Sequence, residues 1–408
     1  MTVTNGSGPG ALHRSTLILM TAGAALGSAG IHCNQPLLPS MATSFGVAQH
    51  TVAVVPSLTQ WGYAAGLALV VPLFDVTARR RLVVVLQLLA AVALAAVGAS
   101  QSPTMLILLA PILGAVLCAS QVLTPYAGVL SPPETRGHAV GTVLGGVLAG
   151  VLLGRVLGGF LGAAISWRAI YLVLALATLV SAAVLSRALP PSRNPERTTY
   201  GEAMGSIVHL VRTCQPLRRH ALIGAMIFGS FMCFWSTYAF ELSDRYGRGP
   251  TAAAVIALVG LGGALTAPRA GRWVDRGGYV RATTIGSAIA TTGWLVATWG
   301  LHSVIWLAVG ALIIDIGTGL AHGANLSALQ RRYPALGGRV NAIYMVMYFI
   351  GGAIGSTVAP ACYFAYGWAA VGALAIAFGV IGLALAMIWR SSLQEQPSAI
   401  DESNGSLI

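Results

Sequence analysis

The sequence predicts an all-α membrane protein: twelve transmembrane helices in two pseudo-symmetric six-helix bundles. Three observations predict it. Of 408 residues, 56% are hydrophobic and only 8% are charged, with a mean hydropathy of +0.77. Soluble domains carry about 25% charged residues, so charge this sparse leaves most of the surface facing lipid. Apolar runs of about 20 residues, the length that crosses the hydrocarbon core as a helix, recur along the chain. Features of the first half return about 200 residues later. The 50 glycines suit membrane helices better than soluble ones. This composition excludes a soluble enzyme, a secreted disulfide scaffold and a disordered protein.

The elements follow in chain order. Residues 1–16 form a polar tail, expected on the cytoplasmic side. The apolar run that follows lacks an A-x-A cleavage site and is too long for a signal-peptide core, so it is expected to be retained as the first span. The twelve spans are expected at 17–38, 51–73, 82–99, 104–126, 138–164, 167–189, 220–242, 251–270, 279–299, 303–328, 340–364 and 368–389. Spans with Gly, Pro or polar residues still read as helices, because a lipid-exposed strand would leave unpaired backbone groups costing several kcal/mol each. Spans 1–6 (17–189) and 7–12 (220–389) form the two bundles. Residues 190–219, including PPSRNPERTTYGE, form the one long linker between them, and 390–408 is a polar, acidic tail expected to be disordered. The halves correspond: Asp75 and Asp275 are 200 residues apart, Trp167 and Trp368 are 201 apart, and Arg136 and Arg339 are 203 apart.

The formal net charge is +12, and all 23 basic residues are arginine. With the N-terminus inside, 19 arginines fall on the cytoplasmic side. Arg168, Arg245 and Arg248 fall outside, and Arg155 lies within a span. That asymmetry is a strong positive-inside signal, with both termini cytoplasmic. The arginines sit in short segments between apolar runs, so no nucleic-acid partner is expected. The 5 cysteines have no metal-ligand spacing, and buried free thiols are expected.

Several residues stand out against the apolar background. The loop after span 2 reads GLALVVPLFDVTARRRL and the loop after span 8 reads APRAGRWVDRGG. Asp75 could pair with an arginine across its loop and hold one of two arrangements, or the arginines are plain positive-inside charge. Span 5 carries Gly146, Gly150, Gly154, Gly158 and Gly162 every four residues, a stripe that lets helices approach closely. Arg155 lies within the same span, where an arginine costs at least ~2.5 kcal/mol to insert. It either handles substrate or proton, or pairs statically between helices. In span 10, Asp315 and His322 are two helical turns apart on one face, with Gly319 and Asn325 near. A carboxylate balanced between burial and a nearby cation can take and release a proton, and a structural hydrogen bond is the alternative. Span 1 ends in His32, Cys33, Asn34 and Gln35, followed by Pro36 and Pro39, so it is expected to bend and line a cavity or to reach the aqueous surface. Further cavity candidates are Gln60, Gln121, Tyr126, Trp235, Tyr238, Tyr344 and Tyr348. Trp167, Trp368 and Trp389, near span ends, are expected to anchor at the membrane interface. Glu241, Asp244, Arg245 and Arg248 read as an outer charge cluster rather than a site.

The two loops resemble the signature loop of the major facilitator superfamily, G-x-x-x-D-R-x-x-R-R with variations. Gly271, Asp275 and Arg276 match in the second half, and Asp75 with Arg79, Arg80 and Arg81 in the first; Val76 and Phe74 depart from it. Gly141, Gly150, Gly154, Gly158 and Gly159 match the spacing of the motif in the superfamily's drug:proton antiporters, except that Arg155 replaces its proline. NQPLLPSMATSFGV, VPSLTQWGYAAGLALVVPL and DIGTGLAHGANLSALQRRYPALGGRVNAIYMVMYFIGGAIGS look like a bacterial subgroup of proton-driven sugar and drug efflux permeases. Asn34, Gln35, Asp75, Arg155, Asp315, Arg339 and Asn341 fall on its pattern positions.

The resemblance implies a monomeric secondary transporter of the bacterial inner membrane, with a central site opening alternately to each side. Proton antiport and export of a small organic molecule are expected. Asp315 would carry the proton, helped by Arg155, His322 and His32. Asn34, Gln35, Gln60, Gln121, Tyr126, Trp235, Tyr238, Asn325, Tyr344 and Tyr348 would face substrate with Arg155. No cofactor or metal is expected. A proton symporter importing a nutrient is the nearest rival, since one fold serves both directions. An intramembrane enzyme is a distant one: the sequence has no HExxH, GxSxG or Walker motif.

Overall fold

The structure, a computed structural model, describes residues 13–190, 199–260, 278–298, 303–333 and 336–390. Among the described residues it is helical throughout, without strands. The first half contains α1 (Arg14–His32), α2 (Leu38–Phe45), α3 (Gln49–Val52), α4 (Val54–Val70), α5 (Leu73–Val76) and α6 (Arg79–Gly98). It continues with α7 (Pro103–Leu117), α8 (Ala119–Leu130), α9 (Pro133–Ala164) and α10 (Trp167–Ala188). Next come α11 (Tyr200–Thr213), α12 (Gln215–Tyr246), α13 (Pro250–Val259), α14 (Tyr279–Thr298), α15 (Val304–Arg332), α16 (Gly337–Tyr366) and α17 (Trp368–Ile388).

Among the described residues, ten stretches of helix are long and apolar enough to cross a membrane. The remaining two expected spans are α13, beyond which the chain leaves the described residues, and α14, whose threonines and Arg281 lower its hydropathy. The first span is bent, as its prolines require: α1 stops at His32, a 3-10 turn covers Gln35–Leu37, and α2 resumes at Leu38. The span over 104–126 is also interrupted, at Cys118, between α7 and α8. Two helices end where glycine adopts a left-handed conformation, Gly46 at φ 64° after α2 and Gly247 at φ 59° after α12.

The exterior is apolar and the interior carries the polar groups, the reverse of a water-soluble protein. Val92, Leu108, Leu176 and Ile305 are exposed, whereas Gln35, Gln60, Arg155, Asn325 and Asp315 are buried. Trp167 and Trp368 do not sit at the surface as interfacial anchors. Both are buried at the starts of their helices, Trp167 against Phe45 and Tyr171, and Trp368 donating to the Ala297 carbonyl at 3.0 Å. For Trp368 that internal acceptor satisfies the buried indole N–H. Trp389 lies under the Arg219 guanidinium.

The internal repeat is physical. In the first half α1 packs on α9, α6 on α10 and α6 on α7; in the second, α12 packs on α16, α14 on α17 and α14 on α15. A Cβ on Gly150 would strike the Ala25 carbonyl, and one on Gly154 would strike Ala29. At the equivalent places, Gly351 lies on Ala225 and Gly355 on Gly229. The glycine stripe therefore exists in both halves.

The halves meet along α4 with α16, along α9 with α13, and where the Gln35–Leu37 turn touches α12. One apolar core spans both halves and includes Leu37, Tyr63, Phe234, Trp235 and Phe349. Toward the end carrying the starts of α1 and α12, separate cores take over: Met20, Leu86, Leu123 and Val143 in the first half, and Ile223, Val280, Leu320 and Ala386 in the second. The two halves are joined at one end of the molecule and built independently at the other.

Candidate functional site

Where the halves are joined, polar side chains from both converge. α9 carries Arg155 inward because its glycine face is occupied by α1. The bend after α1 brings Gln35 opposite. Arg155 is 2% exposed. Its Nε donates to Gln35 Oε1 at 2.6 Å, and its guanidinium lies 3.8 Å above the Trp235 ring and 5.3 Å from that of Phe231. On the far side, Trp235 Nε1 donates to Asp315 Oδ1 at 3.1 Å. Asp315 Oδ2 faces Gly260, where a Cβ would strike it. The cation of one half and the carboxylate of the other thus do not form an ion pair; an indole links them. Gln35 and Trp235 are repeat equivalents on α1's extension and α12, 200 residues apart.

This core is under-satisfied. Arg155 Nη2, both side-chain atoms of Asn34, Gln60 Oε1 and the Tyr238 hydroxyl are buried without hydrogen-bond partners. The amide N–H groups of Gln35 and Gln60 reach only the Met232 sulfur, at 3.9 and 3.7 Å. Unsatisfied buried donors and acceptors cost about 1–3 kcal/mol each, so a ligand or water that meets them is bound favourably.

The other sequence candidates separate into groups. Tyr238 stacks on Phe234 and meets Trp235 edge-on, inside the core. Gln121 is buried on α8, near the Tyr63 hydroxyl, which bonds Ser120 at 3.0 Å. Tyr126 packs edge-on against Phe74, toward the separated end. His322 does not join Asp315. Its Nδ1 meets the Tyr344 hydroxyl at 3.1 Å and its ring faces Tyr348 at 4.4 Å. Asn325 is also elsewhere, bonded through Oδ1 to His220 Nδ1 at 2.6 Å. Tyr348 stacks on Phe228 at 4.0 Å. His32 turns back on its own helix, Nδ1 to the Ser28 carbonyl at 2.9 Å, and so is spent locally.

The glycines divide as well. Gly158 lies on the Cys33 carbonyl, and Gly159 contacts Pro250 and Ala254 of α13, across the halves. Gly141 faces open space, so it does not take part in close packing. In the signature loop, Arg79 lies 4.7 Å over Phe74, Arg80 donates to the Ser186 carbonyl and Arg81 is exposed at the start of α6. Arg136 bonds the Gly128 carbonyl at 3.1 Å, and Arg339 is half-buried at the start of α16. The Asp75 side chain and Gly271, Asp275 and Arg276 lie outside the described residues. The five cysteines are free.

The sequence did not single out Met232, Phe231 or Gly260, nor the clasp at the joined end. There Asp244 accepts from Gln49 Nε2 of the other half at 2.7 Å and from the Tyr363 hydroxyl at 3.1 Å. Trp61 of α4 donates to Thr357 of α16 at 3.3 Å. The 200-residue equivalence of Gln35 and Trp235 was the signal that could have marked the core.

A family model described as Major Facilitator Superfamily matches residues 17–356 and 221–406. The chain is 33% identical over 394 residues to the Uncharacterized transporter YgaY of Escherichia coli O157:H7, covering 95% of this chain and 98% of that one. It is 32% identical over 383 residues to the Probable transporter SCO4007 of Streptomyces coelicolor, covering 93% and 88%. Among solved structures, the human organic anion transporter MFSD10 is similar with a TM-score of 0.68 at 18% identity, covering 91% of this chain and 99% of that one. A bacterial homolog of the human lysosomal transporter Spinster, inward-facing and unoccupied, is similar with a TM-score of 0.73 at 15% identity, covering 94% and 98%.

Proposed function

The chain belongs to the major facilitator superfamily, and from that premise we propose that this multi-pass membrane transporter is a proton-coupled antiporter exporting a small organic molecule from the bacterial cytoplasm. It works as a monomer by alternating access between two six-helix halves, 17–189 and 220–389, joined by 190–219. Both termini lie in the cytoplasm, in accord with the arginine distribution. The joined end is then the outer one, and the end with separate cores faces the cytoplasm.

The observation that carries this reading is the Arg155–Trp235–Asp315 chain across the halves. Asp315 carries the proton. While it is ionised, its charge offsets Arg155 through the indole and favours the closed outer end. Protonation removes that charge and leaves Arg155 a buried cation without compensation, so the halves part where they are now joined. A polar or anionic group on the substrate meets Arg155 Nη2, Asn34, Gln60 and Tyr238, the groups without internal partners.

The test uses everted membrane vesicles in which respiration acidifies the lumen, reported by quenching of a weak-base dye. A panel of small organic anions, cations and sugars is added. At least one compound is expected to dequench the dye in the wild type, and none in Asp315→Asn inserted at the same level. Equal dequenching by the variant would remove Asp315 from the mechanism. Uptake by right-side-out vesicles driven by an inward proton gradient would establish the symporter instead.

A further inference from the structure

A second polar feature lies outside the buried core, at the joined end. It is a cavity of about 450 Å³ between the halves, a volume that suits a small molecule. The Gln35–Leu37 turn adjoins it through Pro36, so it sits immediately beyond the Arg155 site. Its wall from the first half presents Arg168, Ser40 and Ser44, and its wall from the second presents Arg248 and Ser243.

The charge here is one-sided. Arg168 donates to Ser44 Oγ and to the Ser100 carbonyl, both at 2.9 Å and both neutral. The Arg248 side chain is exposed. The acids of this end are engaged elsewhere: Glu241 pairs with Arg245 at 3.9 Å, and Asp244 holds Gln49 and Tyr363. Among the described residues, no carboxylate lines the cavity. Two guanidinium groups, one from each half, therefore face one crevice without a counter-charge. Trp167 also lines it, and its indole N–H is buried without an acceptor. The starts of α10 and α13 add to this, since neither Ser166 nor Gly249 caps its helix with a side chain, and free backbone N–H groups there favour an anion.

We propose that this cavity binds a small oxyanion, a carboxylate or phosphate, clamped between Arg168 and Arg248. The ligand bridges the halves and stabilises the state in which this end is closed. Guanidinium groups hold such planar or tetrahedral oxyanions in charge-assisted pairs. The site is independent of proton coupling and of the direction of transport.

The test measures thermal unfolding of the purified full chain in uncharged detergent by intrinsic fluorescence. Citrate or inorganic phosphate is titrated against chloride at constant ionic strength, because screening alone shifts surface electrostatics. The wild type is expected to show a saturable rise in Tm with at least one oxyanion and none with chloride. Arg248→Gln and Arg168→Gln should each weaken the apparent affinity about tenfold or more. Arg390→Gln, at the far end of the chain, should leave it unchanged. Arg248 has an exposed side chain on a loop, so its variant keeps the fold. A wild type that responds to oxyanions no more than to chloride would overturn the proposal. So would an oxyanion response weakened less than threefold in Arg248→Gln, which would mark a general salt effect.

Discussion

Replacing Arg155 by methionine separates a working charge from a structural strut. The substitution removes one charge-assisted hydrogen bond, the 2.6 Å contact to Gln35, worth about 1.5–3 kcal/mol. It also removes the stacking 3.8 Å above Trp235, worth up to about 2 kcal/mol in a desolvated site. Against this, methionine has no charge to desolvate, which returns several kcal/mol, and it ends the unpartnered state of Nη2. The opposing contributions cancel to within about 2 kcal/mol, and at about 2–4 °C per kcal/mol the Tm moves by less than about 8 °C. Transport should nonetheless fall at least about a hundredfold, because the charge on which the coupling depends is gone. Arg155→Lys, which keeps the charge but not the planar stacking, should retain partial activity. Fluorescence-detected unfolding and dye dequenching on the same preparations measure both quantities. A Tm loss above about 15 °C with normal transport per folded molecule would refute the reasoning and make Arg155 a strut.

Three further outcomes are expected. Gly154→Leu should abolish monodisperse protein in size-exclusion chromatography, since its side chain would be built into Ala29 of α1, whereas Gly141→Leu, with open space around it, should behave as wild type. Asp244→Ala loses the clasp to Gln49 and Tyr363 and should raise the labelling rate of a reporter cysteine at Ala239 by about threefold or more, through a larger outward-open population. Glu202 accepts the Thr199 backbone N–H at 2.7 Å, which holds its carboxyl below the usual carboxylate range. Its folded value is lower than its unfolded one, so its contribution is present above the ordinary pKa and lost as pH falls through the lowered one. Hydrogen exchange should show 199–213 less protected in Glu202→Ala than in wild type at pH 7, with the two converging as pH falls through the lowered value.

The spans were legible because a membrane imposes a length and a composition on any helix that crosses it. The repeat was legible because equivalent loops keep their charges. Span interiors gave less. The break at Cys118 has no proline or glycine at that position to announce it. The helix α11 was hidden by the reading of 190–219 as a polar linker, although Thr199 and Glu202 form a capping box that a T-x-x-E search would have found. Asp315 and His322 do share a face, but seven residues are about 10 Å of rise, which puts them against different neighbours. Arg155 was visible as an anomaly in an apolar span. Gln35 and Trp235 were visible as cavity candidates, but not that Trp235 stands between Arg155 and Asp315, because a tryptophan in an apolar span also reads as packing. The inward placement of Trp167 and Trp368 was obscured for the same reason: an aromatic near a span end suits an interface and a core equally well.

The central claim is that protonation of Asp315 moves the two halves against each other. Spin labels at Ala48 and Arg248 span the joined end, and labels at Thr135 and Arg331 span the separated end, in a background with the five native cysteines replaced. Pulsed electron paramagnetic resonance distances at pH 8 and pH 5 then report both mouths. The first pair should lengthen and the second shorten on acidification in the wild type, and Asp315→Asn should give one distribution at both pH values. Distances that ignore pH in the wild type, or that shift equally in Asp315→Asn, would contradict the account.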